Sequence, residues 1–423
     1  MLVKHNVKSI VLVQIGEKVP FSDSIRLMRT ANFAIQFAES NPRSRVHWYG
    51  SEFDHYSKSS IDPRCVSYLK NKNVIFTPLR SIGYRSNLSA RRVVDHIIVS
   101  VSLFLALIKS ERPSVVICAY PDIFTAISSF MYCKLFRVPF VVDFRDSWPW
   151  LFNEYKVGLS YVNRLAVDCL VSTLAVPSAY VLRSADVVIT MMPSYLEFLY
   201  SKTCNRKPAK ADLFLPIGAP SLDKPLALPA FVSCTSSLLK PIRLVFIGSL
   251  NNTYAPFIVK DILALLECEG LSNLFHFTIA GDGTHYQPLL KMFNGEKNVS
   301  LVGYVDNNQI TQLLNESDIG LLFQNSPIEA LPNKLFTYLS AGLPILHNVP
   351  GAAGQYISSF PYSYYCQCAS SLVFAMRKIN LSIEKVRIGR PEAIDLFNRN
   401  LSSRVLTDRL YAHLESFINC DYC

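Results

Sequence analysis

What most constrains this chain is a regular alternation. Short β-branched apolar runs recur between longer stretches of helical periodicity. Runs at 9–13, 45–49, 74–76, 115–118, 140–144, 187–190 and 213–216 are followed by others at 243–247, 275–280, 299–302, 319–323 and 344–347. Several are almost uninterrupted in Val, Ile, Leu and Phe. Only strands covered on both faces read that way, and crossover helices cover both faces of a parallel sheet. Amphipathic segments such as 257–267 and 308–315 separate the later runs. The alternation predicts doubly wound α/β layers.

The pattern breaks once, across residues 216–241. This stretch holds Pro216, Pro220, Pro225, Pro229 and Pro241 and a Ser/Thr cluster, then gives way to a fresh strand. It reads as a linker. The chain of 423 residues therefore divides into two α/β domains, 1–220 and 221–395, facing a cleft. A tail at 396–423 holds a helix near 404–418 that could pack on either domain. A helix is also expected near 91–108, with Arg91, Arg92 and His96 at one end and an apolar remainder. That composition suits a core helix or one lying in a membrane interface.

Charge is unevenly placed. Of the net +10, residues 1–100 carry 15 Lys/Arg against 7 Asp/Glu, and the rest of the chain is nearly balanced. A basic first hundred residues can face an anionic membrane or a phosphorylated substrate, or simply water. The basic residues are not interleaved with aromatics and no nucleic-acid motif occurs, so a nucleic-acid partner is not expected. Half the residues are hydrophobic and 17% are charged, which excludes extended disorder. No secretory leader is expected from the first residues, and the longest apolar run, about 97–108, falls short of the ~20 residues a bilayer span needs. The 11 cysteines are scattered, without paired zinc spacing; reduced thiols in the cytoplasm fit, and no metal site is expected.

Three stretches carry chemistry. Phe246-Ile-Gly248-Ser249-Leu250 is a strand ending in a glycine turn, where backbone can approach a ligand. Thr278-Ile-Ala-Gly281-Asp-Gly283 is a second such turn, and lacks the third glycine of a dinucleotide fingerprint. The third runs from Gly303-Tyr304-Val305 through Ser317-Asp-Ile-Gly320 to Glu329-Ala-Leu-Pro332-Asn333-Lys334-Leu-Phe-Thr337 and Gly342-Leu-Pro344. A helix beginning at Pro332 or Asn333 would aim its positive end at a bound anion. Lys334 in that first turn opposes the helix dipole, a conflict that a phosphate would relieve.

Taken in order, these stretches resemble the retaining glycosyltransferases of family four, of the GT-B fold. Val142-Asp143-Phe-Arg145-Asp146-Ser-Trp148-Pro149, Phe53-Asp54-His55 and Arg183-Ser-Ala185-Asp186 in the first half look like that family too. The nearest look is to enzymes acting on undecaprenyl-linked sugars in bacterial surface polysaccharide synthesis, such as L-fucosamine transferases. The resemblance implies two Rossmann-like domains, the first binding acceptor and the second binding a nucleotide-sugar. It implies transfer with retention to a lipid-linked or oligosaccharide acceptor, without cofactor or metal, in the cytoplasm or on the inner face of the plasma membrane.

It also implies residue roles. Glu329, Lys334 and Asp146 would serve catalysis. Gly248, Ser249, Gly281, Tyr304, Val305, Asn333 and Thr337 would bind the donor. Arg26, Arg29, His55 and Arg145 would line the acceptor side, although Arg26 and Arg29 read equally well as an ordinary surface pair. The family's second Glu, eight residues beyond the first, is Thr337 here, and the basic residue often found after the Gly-Ser turn is replaced by Asn251-Asn-Thr-Tyr254. Two other readings stay open on the same architecture: a nucleotide-sugar epimerase, and a non-catalytic donor-binding protein.

Overall fold

The computed structural model describes residues 8–421 except 24, 26, 87–88, 157–159, 220–240, 255 and 326–330. Most of the linker thus lies outside the described residues. The chain forms two compact units, Met1–Pro216 with Leu406–Cys423, and Ile217–Val405.

The strands of the first unit are β1 (Ser9–Val13), β2 (Arg45–Ser51), β3 (Phe53–Asp54), β4 (Ser59–Ser60), β5 (Val74–Leu79), β6 (Val115–Tyr120), β7 (Phe140–Phe144), β8 (Val187–Thr190) and β9 (Leu213–Phe214). All but β3 and β4 join one parallel sheet in the order β5-β2-β1-β6-β7-β8-β9. β3 and β4 form a separate antiparallel pair. Because successive strand side chains point to opposite faces, β1 feeds two cores. Ile10 and Leu12 pack with Phe37, Leu69 and Leu410. Val11 and Val13 pack with Val99, Leu103 and Leu182.

Helices Arg29–Ser40 and Arg64–Asn71 supply the first of these layers. The C-terminal helix Ser403–Asp421 joins it through Leu406, Leu410 and Leu414. Helices Ala90–Lys109, Ile123–Phe136 and Tyr161–Ser184 supply the opposite layer. The last contains the one helix among the described residues, Asn163–Ser184, that is long and apolar enough to cross a membrane by length and composition. A search for an unbroken apolar run misses this one because Arg164 and Asp168 interrupt it.

The second unit holds β10 (Ile242–Ile247), β11 (Phe275–Ala280), β12 (Val299–Gly303), β13 (Ile319–Leu322), β14 (Ile345–His347) and β15 (Tyr364–Tyr365). They form a parallel sheet in the order β12-β11-β10-β13-β14-β15. Both sheets are thus doubly wound, as the alternation predicts. The order reverses beside β1 in the first unit and beside β10 in the second, and the carboxyl ends of strands at such reversals are where open α/β sheets bind ligands. Helices expected at 257–267 and 308–315 are Val259–Cys268 and Asn307–Glu316. The latter starts on a capping box, Asp306 with Gln309.

Candidate active site

In the second unit the site grows from the carboxyl end of β10. The chain leaves the strand at Gly248, with φ 153°, and the turn is tied to the one after β11. The Gly248 N–H donates to the Ala280 carbonyl at 3.0 Å, and the Leu250 N–H to the Asp282 carbonyl at 2.9 Å. This close approach explains the second turn's glycines. A Cβ at Gly281 would lie 1.8 Å from the Gly248 carbonyl oxygen, and one at Gly283 would lie 2.5 Å from that of Leu250. Gly281, expected to bind donor, is thus required by backbone packing whatever it binds. Ser249 is exposed beside Gly248.

The helix Asn333–Ser340 delivers Lys334 to the same turn. Its N-cap is Pro332, which offers no side-chain cap, and no acidic residue stands in its first turn. Tyr338 fixes the helix in place. Its hydroxyl accepts from the Ile247 N–H at 2.9 Å and donates to the Leu321 carbonyl at 3.1 Å, linking the ends of β10 and β13. Lys334 Nζ then lies 4.2 Å from the centre of the Phe246 ring and 4.0 Å from that of Tyr254. A Cβ at Gly248 would stand 3.2 Å from it. The ammonium is sealed from solvent and has no hydrogen-bond partner among the described residues. Burial pulls its pKa down to about 7. Two aromatic faces attract the cation but give its N–H groups no oxygen acceptor.

Sequence reading found Lys334 and the Gly248 turn, but missed Phe246, Tyr254 and Tyr338. Tyr254 stands in the loop where the resembled family often carries a basic residue, and its ring covers Lys334. The available signal was its aromatic ring one loop beyond the glycine turn. Asn333 and Thr337 share the helix, with the Thr337 hydroxyl donating to the Asn333 carbonyl at 3.3 Å. Tyr304 is 80% exposed after β12, whereas Val305 is buried; of the pair expected at the base, only Tyr304 presents its side chain. Glu329 lies outside the described residues.

In the first unit, two of the residues expected on the acceptor side are engaged by neighbouring protein groups. Arg29 is 4% exposed, and its guanidinium is consumed by Asp143 (Nε at 3.0 and 3.1 Å, Nη2 at 3.0 Å) and by the Pro216 carbonyl at 2.9 Å. Arg145 is held by Glu17, by Asp143 at 2.8 Å and by the Thr30 hydroxyl at 2.8 Å. Burial opposes ionisation of Asp143, yet Arg29 and Arg145 hold its carboxyl below the usual range. Arg29, buried, and Arg145, part-buried, thus form a charge network with Asp143 that ties β7 to the helix Arg29–Ser40. Asp146, partly exposed, lies two residues beyond β7. Arg26 lies outside the described residues. His55 is half-buried, with Nδ1 2.6 Å from the Tyr84 hydroxyl.

The family model described as glycosyl transferases group 1 matches residues 241–357. A comparison with curated proteins by sequence finds no match. Solved structures do match. Sucrose-phosphate synthase from Thermosynechococcus elongatus aligns over 97% of this chain and 99% of its own, with TM-score 0.62 and 13% identity. WaaG, a glycosyltransferase involved in lipopolysaccharide biosynthesis, aligns over 96% and 99%, with TM-score 0.61 and 14% identity. Alr3699/HepE of Anabaena, in complex with UDP, aligns over 97% and 100%, with TM-score 0.63 and 12% identity. With two Rossmann-like α/β units and a group 1 segment laid over β10 to β14, the chain is a glycosyltransferase of the GT-B fold.

Proposed function

We propose that this enzyme moves a sugar from a nucleotide-sugar to a lipid-linked or oligosaccharide acceptor, with retention, in the synthesis of a bacterial surface polysaccharide at the cytoplasmic face of the membrane. One observation carries the reading: Lys334, a sealed cation without an oxygen partner among the described residues, at a glycine turn and an uncapped helix start. Such a place suits the leaving diphosphate. As the glycosidic C–O bond breaks, negative charge grows on the phosphate oxygen, and a preorganised cation with backbone N–H groups stabilises that charge more than the ground state. The matched structures support a nucleotide donor, since HepE was solved with UDP and with UDP-glucose.

In this reading Glu329 orients the donor's hydroxyls, Tyr304 stacks on the base and Asp146 serves the acceptor side. No metal or cofactor takes part. Retention follows if the diphosphate oxygen itself takes the acceptor's proton. The test is a panel of nucleotide-sugars offered with lipid-linked acceptors, with the product's anomeric configuration read by NMR. Transfer with the donor's configuration is expected; inversion removes the retaining assignment, and no transfer from any donor removes the reading.

Thr337 gives a sharper check. A carboxylate in its place would offer ribose charge-assisted hydrogen bonds that a hydroxyl cannot match. Thr337→Glu is expected to tighten UDP binding by about 10-fold in calorimetry. Unchanged or weaker binding would mean that Thr337 does not face the ribose.

A further inference from the structure

The first unit holds a cavity of about 760 Å³, lined among others by Glu52, Lys58, Ser81, Tyr84, Arg85 and Arg91. Its size is that of a small-molecule site, and its wall is built rather than incidental. The buried Asp95 carboxylate accepts from the Ile82 N–H at 2.7 Å and the Gly83 N–H at 2.9 Å, fixing the loop after β5. Arg91 is pinned beside it, with Nε donating to the Gly83 carbonyl at 2.8 Å and Nη2 to that of Ile82 at 2.9 Å. Lys58 Nζ lies 4.8 Å from the centre of the Tyr84 ring, and the Arg92 guanidinium 5.5 Å from the same centre.

Positive charge is concentrated here. Burial first, and the neighbouring Arg92 second, depress the Lys58 ammonium. Burial, then Lys58, Arg92 and His96, hold His55 down to about 4. Two nearby carboxylates are engaged by backbone, Glu52 accepting the Ser81 N–H at 2.8 Å and Asp54 the Tyr56 N–H at 2.7 Å; Asp54 offsets part of the charge on Lys58 and His55, and Asp122 pairs with His96 at 2.6 Å. An anion entering this cavity relieves repulsion among the cations.

The helix Ala90–Lys109 starts at the cavity with Arg91, Arg92, Asp95 and His96, and beyond them carries apolar residues on its outer face as well as its inner one. Its inner face, Val99, Leu103 and Leu107, is wholly buried. Its outer face carries Val93, Ile97, Val101 and Leu105, between 44% and 55% exposed, where a helix of a water-facing layer carries polar residues. The stripe runs about 18 Å. Helix Ile123–Phe136 packs beside it, with the Ser100 hydroxyl donating to the Phe124 carbonyl at 2.7 Å. An apolar stripe with a cationic cavity at its end has the chemistry of a lipid and its phosphate.

We propose that this cavity holds the phosphate or diphosphate headgroup of a membrane-embedded lipid acceptor, with the outer face of Ala90–Lys109 seated in the hydrocarbon beside it. The proposal rests on the glycosyl-transfer reading above and names the acceptor's class. It also moves acceptor recognition from Arg29 and Arg145 to Lys58, Arg85 and Arg91.

The test is flotation of the full chain, without donor, on three vesicles. One is phosphatidylcholine alone. The second is doped with phosphatidylglycerol, and the third is doped to the same surface charge with a polyprenyl diphosphate. The protein is expected to bind the diphosphate vesicles about 10-fold more tightly than the phosphatidylglycerol vesicles, and inorganic pyrophosphate is expected to abolish the difference. Lys58→Glu and Arg85→Glu, each checked for an unchanged melting temperature, should each lose the preference. Val101→Asp with Leu105→Asp should weaken binding to all three. Equal binding to the two anionic vesicles, or a preference that survives both charge reversals, would overturn the proposal. Because no transfer is read, an inactive transferase would leave a positive result standing, and a lost preference in an active one would remove only the headgroup site.

Discussion

Lys334→Met is expected to lower the rate of sugar transfer by about 10²–10³-fold while leaving the free protein as stable as before, or more so. The two halves of this expectation have one cause. In the free protein the ammonium sits between Phe246 and Tyr254, sealed from water, with no hydrogen-bond partner among the described residues. A buried group without its hydrogen bonds costs roughly 1–3 kcal/mol, which stacking on two rings offsets in part. Met fills the same slot without that cost. A side chain that destabilises the empty protein is explained if its partner arrives with the substrate. A melting temperature that falls in the variant, with transfer intact, would show Lys334 to be a packing element and nothing more.

The same residue sets a pH signature. Its pKa in the folded chain is about 7, against 10.5 for an unburied lysine. Between those values the unfolded chain holds a proton that the folded chain has released, so this lysine's contribution to stability improves as pH rises from about 7 towards 10.5. Below 7 both states are protonated and the full burial penalty stands. A diphosphate bound against Nζ restores the charge. UDP binding at about pH 8 is therefore expected to take up close to one proton per site, measured by calorimetry in buffers of different ionisation heat, and Lys334→Met should abolish that uptake. Binding without proton uptake in the unsubstituted protein would mean that the phosphates lie elsewhere.

Lys334 was legible in the sequence because the rule it breaks is local: a cation in a helix's first turn. The runs that became β1, β6, β7 and β8 were legible for a similar reason, since a strand buried on both faces is apolar at every position. The two-residue strands β3, β4 and β15 lie in no apolar run long enough to announce them, unlike β9, whose Leu213 and Phe214 begin one. The buried network was hidden by distance. Arg29 and Asp143 lie 114 residues apart, and an arginine on a predicted helix looks like a surface residue until the sheet order brings β7 beside it. The aromatic cover on Lys334 was hidden likewise, because Phe246 and Tyr254 meet it only once β10 and β13 pair. The exposed stripe on Ala90–Lys109 was ambiguous by composition alone, and only the packed inner face shows that the outer one is surplus to the core.

Gly281→Ala is expected to be among the most damaging single-methyl changes available to the second unit, destabilising it by roughly 3–5 kcal/mol and abolishing donor binding at assay temperature. The added carbon would lie 1.8 Å from the Gly248 carbonyl oxygen, a distance that backbone must open. Little slack exists to open it. Gly248 is bonded to the Ala280 carbonyl at 3.0 Å, Gly281 to the Gly303 carbonyl at 2.7 Å, and Leu250 to Asp282 at 2.9 Å, so moving either turn breaks bonds on both sides. Gly295→Ala is the control. Its φ is 84°, so a Cβ carries ordinary left-handed strain of about 1–2 kcal/mol, but nothing lies within 4 Å of it. Thermal unfolding of the two variants separates conformational strain from the interlocked turns. If Gly281→Ala melts no lower than Gly295→Ala, the turns are not rigidly joined. The Gly248 backbone would then not be held against Lys334, and preorganised charge could not be the source of the rate.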